Sequence, residues 1–253
     1  MGNSKLYKYL DVNGGISMLH YSNLQFTNAT RLNDPFDIHP SLIDFSNVPA
    51  YDQRMVWGKD AVIALEANRH ERLRDDAWVC SLSRVHDSLL MWAYYGNHRG
   101  VCVGIDMDKA NKYLNSIRCT LILGAMQFDV QYMDIIQKPD YFHDCMDYYK
   151  YQLSTKAKAW EHEQEVRLIL FSPSPGIMGL PYEPEEDELI DWKDVRAYPH
   201  IGGECFDSLH LGIKVDKEKK KRIIEEARMV NPEIKIFQME PDPDAFRLIE
   251  RLI

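Results

Sequence analysis

The run Trp160-Glu161-His162-Glu163-Gln164-Glu165-Val166-Arg167 places carboxylates and a guanidinium at alternate positions. Side chains alternate along a β-strand, so Val166, Leu168 and Leu170 share one face. Glu165 and Arg167 share the other, and Glu163 extends their row. Two close carboxylates raise one another's proton affinity, whereas a neighbouring arginine lowers it. Such a row can stabilise a developing positive charge, as in glycosyl transfer through an oxocarbenium-like state. The same spacing also suits an exposed polar face with weak ion pairs.

A second group is Met91-Trp92-Ala93-Tyr94-Tyr95-Gly96-Asn97-His98-Arg99-Gly100, followed by the apolar run Val101–Ile105. The pattern predicts a helix end, a tight connection and a buried strand. The turn offers an amide, an imidazole and a guanidinium in succession, which suits either a ligand or water. Third is Leu32-Asn33-Asp34-Pro35-Phe36-Asp37, where Asn-Asp-Pro initiates a rigid turn. Its amide and two carboxylates can bind a ribose, polarise a water, or tie down backbone amides. Fourth is Leu6-Tyr7-Lys8-Tyr9, in which alternation sets Lys8 opposite Tyr7 and Tyr9. Ser81 and Ser83, on one face of their strand, can support the same pocket. The sequence has no nucleophile elbow, phosphate loop or dinucleotide fingerprint.

These groups must be held by a framework, and the sequence outlines one. Strands are expected at 5–10, 24–27, 77–83, 101–105, 121–132 and 164–171. Helices are expected at 14–21, 59–73, from Asp87 or Ser88 to Tyr95, and at 141–160. The 59–73 helix carries an apolar stripe with Val62, Ile63, Leu65 and Leu73. The 141–160 segment puts Phe142, Cys145, Met146, Tyr149 and Leu153 on one side. Residues 172–190 form a long connection rich in proline, glycine and acidic residues. The tail reads as strand–helix–strand: 208–213, a helix after Asp216 through Val230, and 234–239, with the two strands parallel. Trp92 and Trp160 are both expected to be buried. The expected architecture is a single α+β domain over 1–253, with mixed, partly split β-sheets, flanking helices and that C-terminal unit.

The chain has 253 residues, with 45% hydrophobic and 27% charged, the composition of an ordinary globular protein. Its net charge of −9 argues against broad nonspecific binding to nucleic acid, which needs a basic surface. The five cysteines are odd in number and show no zinc-knuckle or redox spacing, so reduced thiols are expected. The nine histidines have no His-Glu-x-x-His spacing, and no metal is expected. No run is long and apolar enough for a membrane span, and the N-terminus lacks an apolar signal core. No membrane association and a cytoplasmic location are expected.

The four blocks, taken in chain order, resemble domain of unknown function 2971, a mostly bacterial family. The matching pieces are Leu6–Tyr9, Leu32–Asp37, Met91–Gly96 with His98 and Gly100, and Trp160-x-x-Glu163-x-Glu165-x-Arg167. Leu211-Gly212 before a basic helix also fits. A more distant resemblance is to ADP-ribosyltransferase-like toxins. They carry a polar side chain on a first aromatic strand, an aromatic on a central segment and a glutamate on a late strand. Lys8 or Tyr9, Tyr94 or Tyr95, and Glu163 or Glu165 fill those places here, with Lys8 standing where histidine or arginine is usual.

That resemblance implies an enzyme using NAD as a substrate, acting in bacterial or phage defence or as a toxin with an antitoxin partner. It implies Glu165, Glu163, Tyr94 and Tyr95 as catalytic residues. Lys8, Tyr9, Asn33, Asp34, Trp92, His98, Arg99 and Arg167 would bind the nucleotide. The acceptor would be nucleic acid or protein. Two alternatives stay open. One is a metal-dependent nucleic-acid hydrolase using Asp34, Asp37, Glu163 and Glu165. The other is a non-catalytic module that binds a nucleotide or a partner.

Overall fold

In the computed structural model, residues 5–117, 125–171, 190–193 and 195–253 are described. The chain runs β1 (Lys5–Leu10), α1 (Val12–His20), β2 (Phe26–Asn28), α2 (Lys59–Asp76), β3 (Ala77–Ser83), α3 (Leu89–Tyr94), β4 (Val101–Asp106) and α4 (Met107–Leu114). It continues through β5 (Met126–Asp129), β6 (Gln131–Met133), α5 (Tyr148–Ser154), β7 (Thr155–Ala157), β8 (Glu165–Phe171), β9 (Ile190–Lys193) and β10 (Arg196–Pro199). The last elements are β11 (Phe206–Leu211), α6 (Lys217–Val230), β12 (Lys235–Pro241) and β13 (Leu248–Leu252).

Among the described residues eleven strands form one mixed sheet in the order β13-β12-β11-β4-β1-β3-β2-β10-β9, with β8 pairing β3 and β5. The fold is therefore α+β, as expected. Among the described residues only β11 and β12 pair in parallel within this sheet, joined by α6, so the C-terminal strand–helix–strand unit also forms as read from the sequence. Asp216 caps α6 by accepting from the amides of Glu218 and Lys219. The sheet splits at β3. One edge of β3 pairs with β8 along its length. The other is shared between β2, at Trp78 and Val79, and β1, which meets β3 only at Tyr7 and Ser83. In the gap between these pairings the Ser81 carbonyl accepts a hydrogen bond from Lys8 Nζ at 2.8 Å.

Alternation along β1 and β4 then separates two cores. Leu6, Val101, Val103 and Ile105 join the main cluster with Met18 and Leu19 of α1 and Ile223 and Ala227 of α6. Tyr7, Tyr9 and Cys102 join Met91, Trp92, Met239 and Leu248 on the opposite side. Each fully buried aliphatic side chain in such a cluster contributes about 1.5–3 kcal/mol. Gly100 stands just before β4, where a Cβ would collide with the Leu10 carbonyl, so a larger residue would push β1 and β4 apart.

Several expectations are corrected. Within 141–160 only Tyr148–Ser154 is α-helical, and of the proposed stripe only Leu153 is buried. The preceding residues are held in turns around Asp140, whose carboxylate accepts from the amide of Phe142 and whose amide donates to Asp144. The strand expected at 121–132 is two short strands with Val130 between them, and its first four residues lie outside the described ones. The buried residues of α2 are Val62, Glu66 and His70, a largely polar stripe rather than an apolar one. Glu66 accepts from Arg69 and Tyr141, and His70 pairs with Gln152 at 2.6 Å. Helix α4 and strands β9, β10 and β13 have no counterpart in the sequence reading. The connection read at 172–190 lies outside the described residues except for Ile190, which opens β9. No helix among the described residues is long and apolar enough to cross a membrane.

Candidate functional site

Strand β8 brings Glu165 and Arg167 to one face, as alternation requires, but that face is buried rather than solvated. Both lie among the least exposed residues of the protein, because β8 has strands on both edges and packing on both faces. Arg167 donates to Glu165 Oε1 from Nε at 3.0 Å, to Asp37 Oδ1 from Nη2 at 2.5 Å, and to the Leu153 carbonyl from Nη1 at 2.9 Å. The Asn-Asp-Pro turn delivers Asp37 to this position. Asp34 Oδ1 accepts from the Phe36 amide at 2.9 Å, and the Asp34 carbonyl accepts from the Asp37 amide at 3.1 Å.

Glu163 reaches the same place by a different route. It ends a 3₁₀ turn, and Gln164 then takes the left-handed conformation (φ 43°) before β8 begins. Lys156, on β7, links the carboxylates by donating to Glu163 Oε2 at 2.5 Å and to Glu165 Oε2 at 2.9 Å. Its Nζ also lies 4.0 Å from Asp37 and 5.2 Å from the centre of the Trp160 ring. Three carboxylates and two cations thus form a continuous buried chain. Tyr95 OH closes its outer end by donating to Glu163 Oε1 at 2.6 Å. Tyr132 OH accepts from the Glu165 amide at 2.8 Å.

Electrostatics follow from this packing. Burial pushes the Glu165 carboxyl up, but Arg167 and Lys156 outweigh it and hold Glu165 well below the ordinary value. Burial wins at Asp37, which is raised despite Arg167 and Lys156. Lys156 and Arg167 are each raised because their carboxylate partners overcome desolvation. Tyr95 is raised by burial of its hydroxyl end and by Glu163. Tyr132, also buried, is pushed up to about 12.

A small cleft of about 60 Å³ opens where the sheet splits, lined by Tyr7, Lys8, Tyr9, Ser81, Ser83, Tyr95, Glu163 and Glu165 among others. The blocks from β1, β3, α3 and β8 therefore converge. Tyr9 donates to the Val85 carbonyl at 3.1 Å, and Ser83 Oγ donates to the Glu163 carbonyl at 2.7 Å, so both brace the wall.

Other candidates fall elsewhere. Asn33 and Arg99 are exposed and do not line this cleft. His98 sits with φ 58°, donates its amide to the Trp92 carbonyl and accepts from the Lys214 amide, which ties it to the β11–α6 connection. Asp34 is buried and holds its own turn. Trp92 is buried behind the cleft with Nε1 donating to the His86 carbonyl at 2.7 Å. Tyr94 is exposed against His162. Trp160 is only half-buried, contrary to expectation, because its ring covers Lys156. The sequence reading missed Lys156, which lay in a stretch read as helix. It read Asp37 as binding a ribose, a water or backbone amides, or as a metal ligand in the hydrolase alternative, and did not pair it with Arg167.

The fold and site define an α+β protein with a buried chain of ion pairs beside an aromatic-lined cleft in a split sheet. Residues 91–168 match the family model described as Protein of unknown function (DUF2971). That stretch contains Tyr95, Lys156, Glu163, Glu165 and Arg167, while β1 and the Asp34–Asp37 turn lie outside it. No curated protein and no solved structure matches the chain.

Proposed function

We propose that this protein is an NAD-consuming transferase of the ADP-ribosyltransferase-like kind in which Glu163, rather than Glu165, is the working carboxylate. The observation that carries the reading is the Tyr95–Glu163 hydrogen bond of 2.6 Å at the wall of the cleft. Glu165 is committed to Arg167 and Lys156 on both oxygens. Glu163 also has a donor on each oxygen, Lys156 and Tyr95, but the Tyr95 ring is exposed, and Glu163 lines the cleft together with Lys8.

In this reading Tyr95 stacks on nicotinamide while Glu163 accepts from the adjoining ribose. The glycosidic C–N bond breaks, nicotinamide leaves with the electron pair, and the carboxylate stabilises the cationic ribose. A nucleophile on a protein or nucleic-acid acceptor then bonds to the ribose carbon and loses its proton. Lys8 supplies a charge for the diphosphate. Arg167, His98 and Arg99 have no part in this version. The defence or toxin setting belongs to the same proposal.

The second reading, a nucleotide sensor without turnover, draws support from the neutralisation of Glu163 by Lys156. The metal-dependent hydrolase fits less well. Cations already occupy Asp37, Glu163 and Glu165 where magnesium would have to sit, and Asp34 is turned to its own loop. Purified protein incubated with NAD and a cell extract as acceptor tests the proposal by nicotinamide release. Wild type should release it, and Glu163→Gln should lower the rate at least 100-fold while keeping the fold. NAD binding without release favours the sensor. No binding of NAD overturns both.

A further inference from the structure

On the Tyr7 and Tyr9 side of the sheet, three side chains from distant parts of the chain converge. His86 comes from the connection between β3 and α3, His210 from β11 and Glu250 from β13. Their ligand atoms all lie within 4.8 Å of one another. Glu250 Oε2 is 3.0 Å from His86 Nε2 and 3.2 Å from His210 Nδ1. Four-coordinate zinc with nitrogen and oxygen ligands at ordinary bond lengths spaces neighbouring ligand atoms about 3.3 Å apart.

His210 supplies a second, independent observation. It is only 2% exposed, and its Nδ1 has no hydrogen bond of acceptable geometry even though Glu250 lies close. A buried ring nitrogen without a partner is costly. Its other nitrogen, Nε2, lies 3.1 Å from Ser208 Oγ. That is the arrangement by which a hydrogen bond on one ring nitrogen orients the other toward a metal. Phe237 stacks on the same ring at 4.9 Å and an angle of 13°, fixing its plane. His86 lies against it with ring centres 4.5 Å apart.

We propose that His86 Nε2, His210 Nδ1 and Glu250 Oε2 form a mononuclear zinc site with a fourth position open to water. Two imidazoles and one carboxylate with an open fourth position make a zinc donor set. Glu250 and His86 are partly exposed, which leaves an approach for the ion and for the water. The ion ties edge strand β13 to β11 and to the connection that leads into α3. Tyr7, whose ring packs against both histidines at 5.0 and 5.8 Å, separates it from the cleft.

The test is titration of tag-free, chelator-treated protein with zinc chloride by calorimetry, with cobalt(II) absorption as a second readout. Wild type should bind one equivalent at micromolar affinity or tighter and give the visible band of four-coordinate cobalt. Glu250→Gln and His86→Ala, both at partly exposed positions and checked for folding by circular dichroism, should each weaken zinc at least tenfold. Cys145→Ser removes an exposed thiol from the comparison and should leave binding unchanged. Failure of wild type to bind, loss of binding in Cys145→Ser, or unchanged affinity in either ligand variant overturns the site.

Discussion

Arg167 Nη2 and Asp37 Oδ1 lie 2.5 Å apart in the interior, joining β8 to a turn 130 residues earlier in the chain. The same guanidinium bonds Glu165 on its own strand, so one buried cation fixes two carboxylates. Desolvating these charges is unfavourable, and only their mutual pairing offsets it.

Removing one member should therefore be far more damaging than the loss of a surface ion pair. Arg167→Leu leaves Asp37 and Glu165 short of a partner, and the expected cost is about 3–5 kcal/mol. Arg167→Lys keeps the charge without the fork and should fall between Leu and wild type. Urea unfolding of the three proteins checks the order. A wild-type midpoint in Arg167→Leu would mean that the network carries no stability.

Acid sensitivity should follow the opposite shifts of Glu165 and Asp37. Burial raises Glu165, but Arg167 and Lys156 prevail and its folded value lies below the unfolded one. Its stabilisation is thus present above about pH 4.3 and is lost as pH falls toward the folded value. Asp37 is raised by burial over the same cations, so its contribution is present at acid pH and is lost as pH rises through its folded value. Glu165→Gln should start less stable at neutral pH and decline less between about pH 5 and pH 3. Asp37→Asn should decline more steeply than wild type. Parallel denaturation curves for all three would remove both assignments.

The strands and caps that depend on local chemistry were legible in the sequence. β3, α3, β4, β8 and α6 stand close to where alternation, Ser88, Asp216 and Pro232 indicate. What local pattern could not show was burial of charge. Glu163, Glu165 and Arg167 read equally well as a solvated face, because their partners Asp37 and Lys156 arrive through tertiary packing. The stretch around Lys156 carries a helical pattern, yet tertiary pairing with β6 draws Thr155–Ala157 into a strand. The same limit applies to His86, His210 and Glu250, which share no spacing at all. Convergence of the polar blocks was legible only as an inference from their composition. His98 and Arg99 show that polarity in a turn does not decide which side of a sheet it serves.

The two tryptophans should separate cleanly. Trp92 is 2% exposed and its indole donates to the His86 carbonyl, so Trp92→Ala should cost about 3–5 kcal/mol. Trp160 is half-buried and covers Lys156 through a cation–π contact, so Trp160→Ala should cost about 1 kcal/mol. Thermal or urea melts of both variants measure the difference. Equal losses would place Trp160 in the core after all.

Gln164 sets the direction from which Glu163 enters the site. Its φ of 43° and ψ of 52° are left-handed, a conformation that costs an ordinary residue about 1–2 kcal/mol. The turn persists because Gln164 donates its amide to the Glu161 carbonyl at 3.1 Å and accepts from the Arg84 amide at 3.0 Å. Glycine adopts this conformation without strain but gives up roughly 0.5–1 kcal/mol in chain entropy. Gln164→Gly should therefore match wild type or exceed it by up to about 1.5 kcal/mol. Gln164→Val puts a β-branched side chain where it fits worst and should lose more than about 1 kcal/mol. It should also pull Glu163 away from Tyr95, which hydrogen exchange at the Glu163 and Glu165 amides would register as faster exchange. If valine is tolerated and exchange at both amides stays at the wild-type rate, the left-handed turn does not hold Glu163 in place.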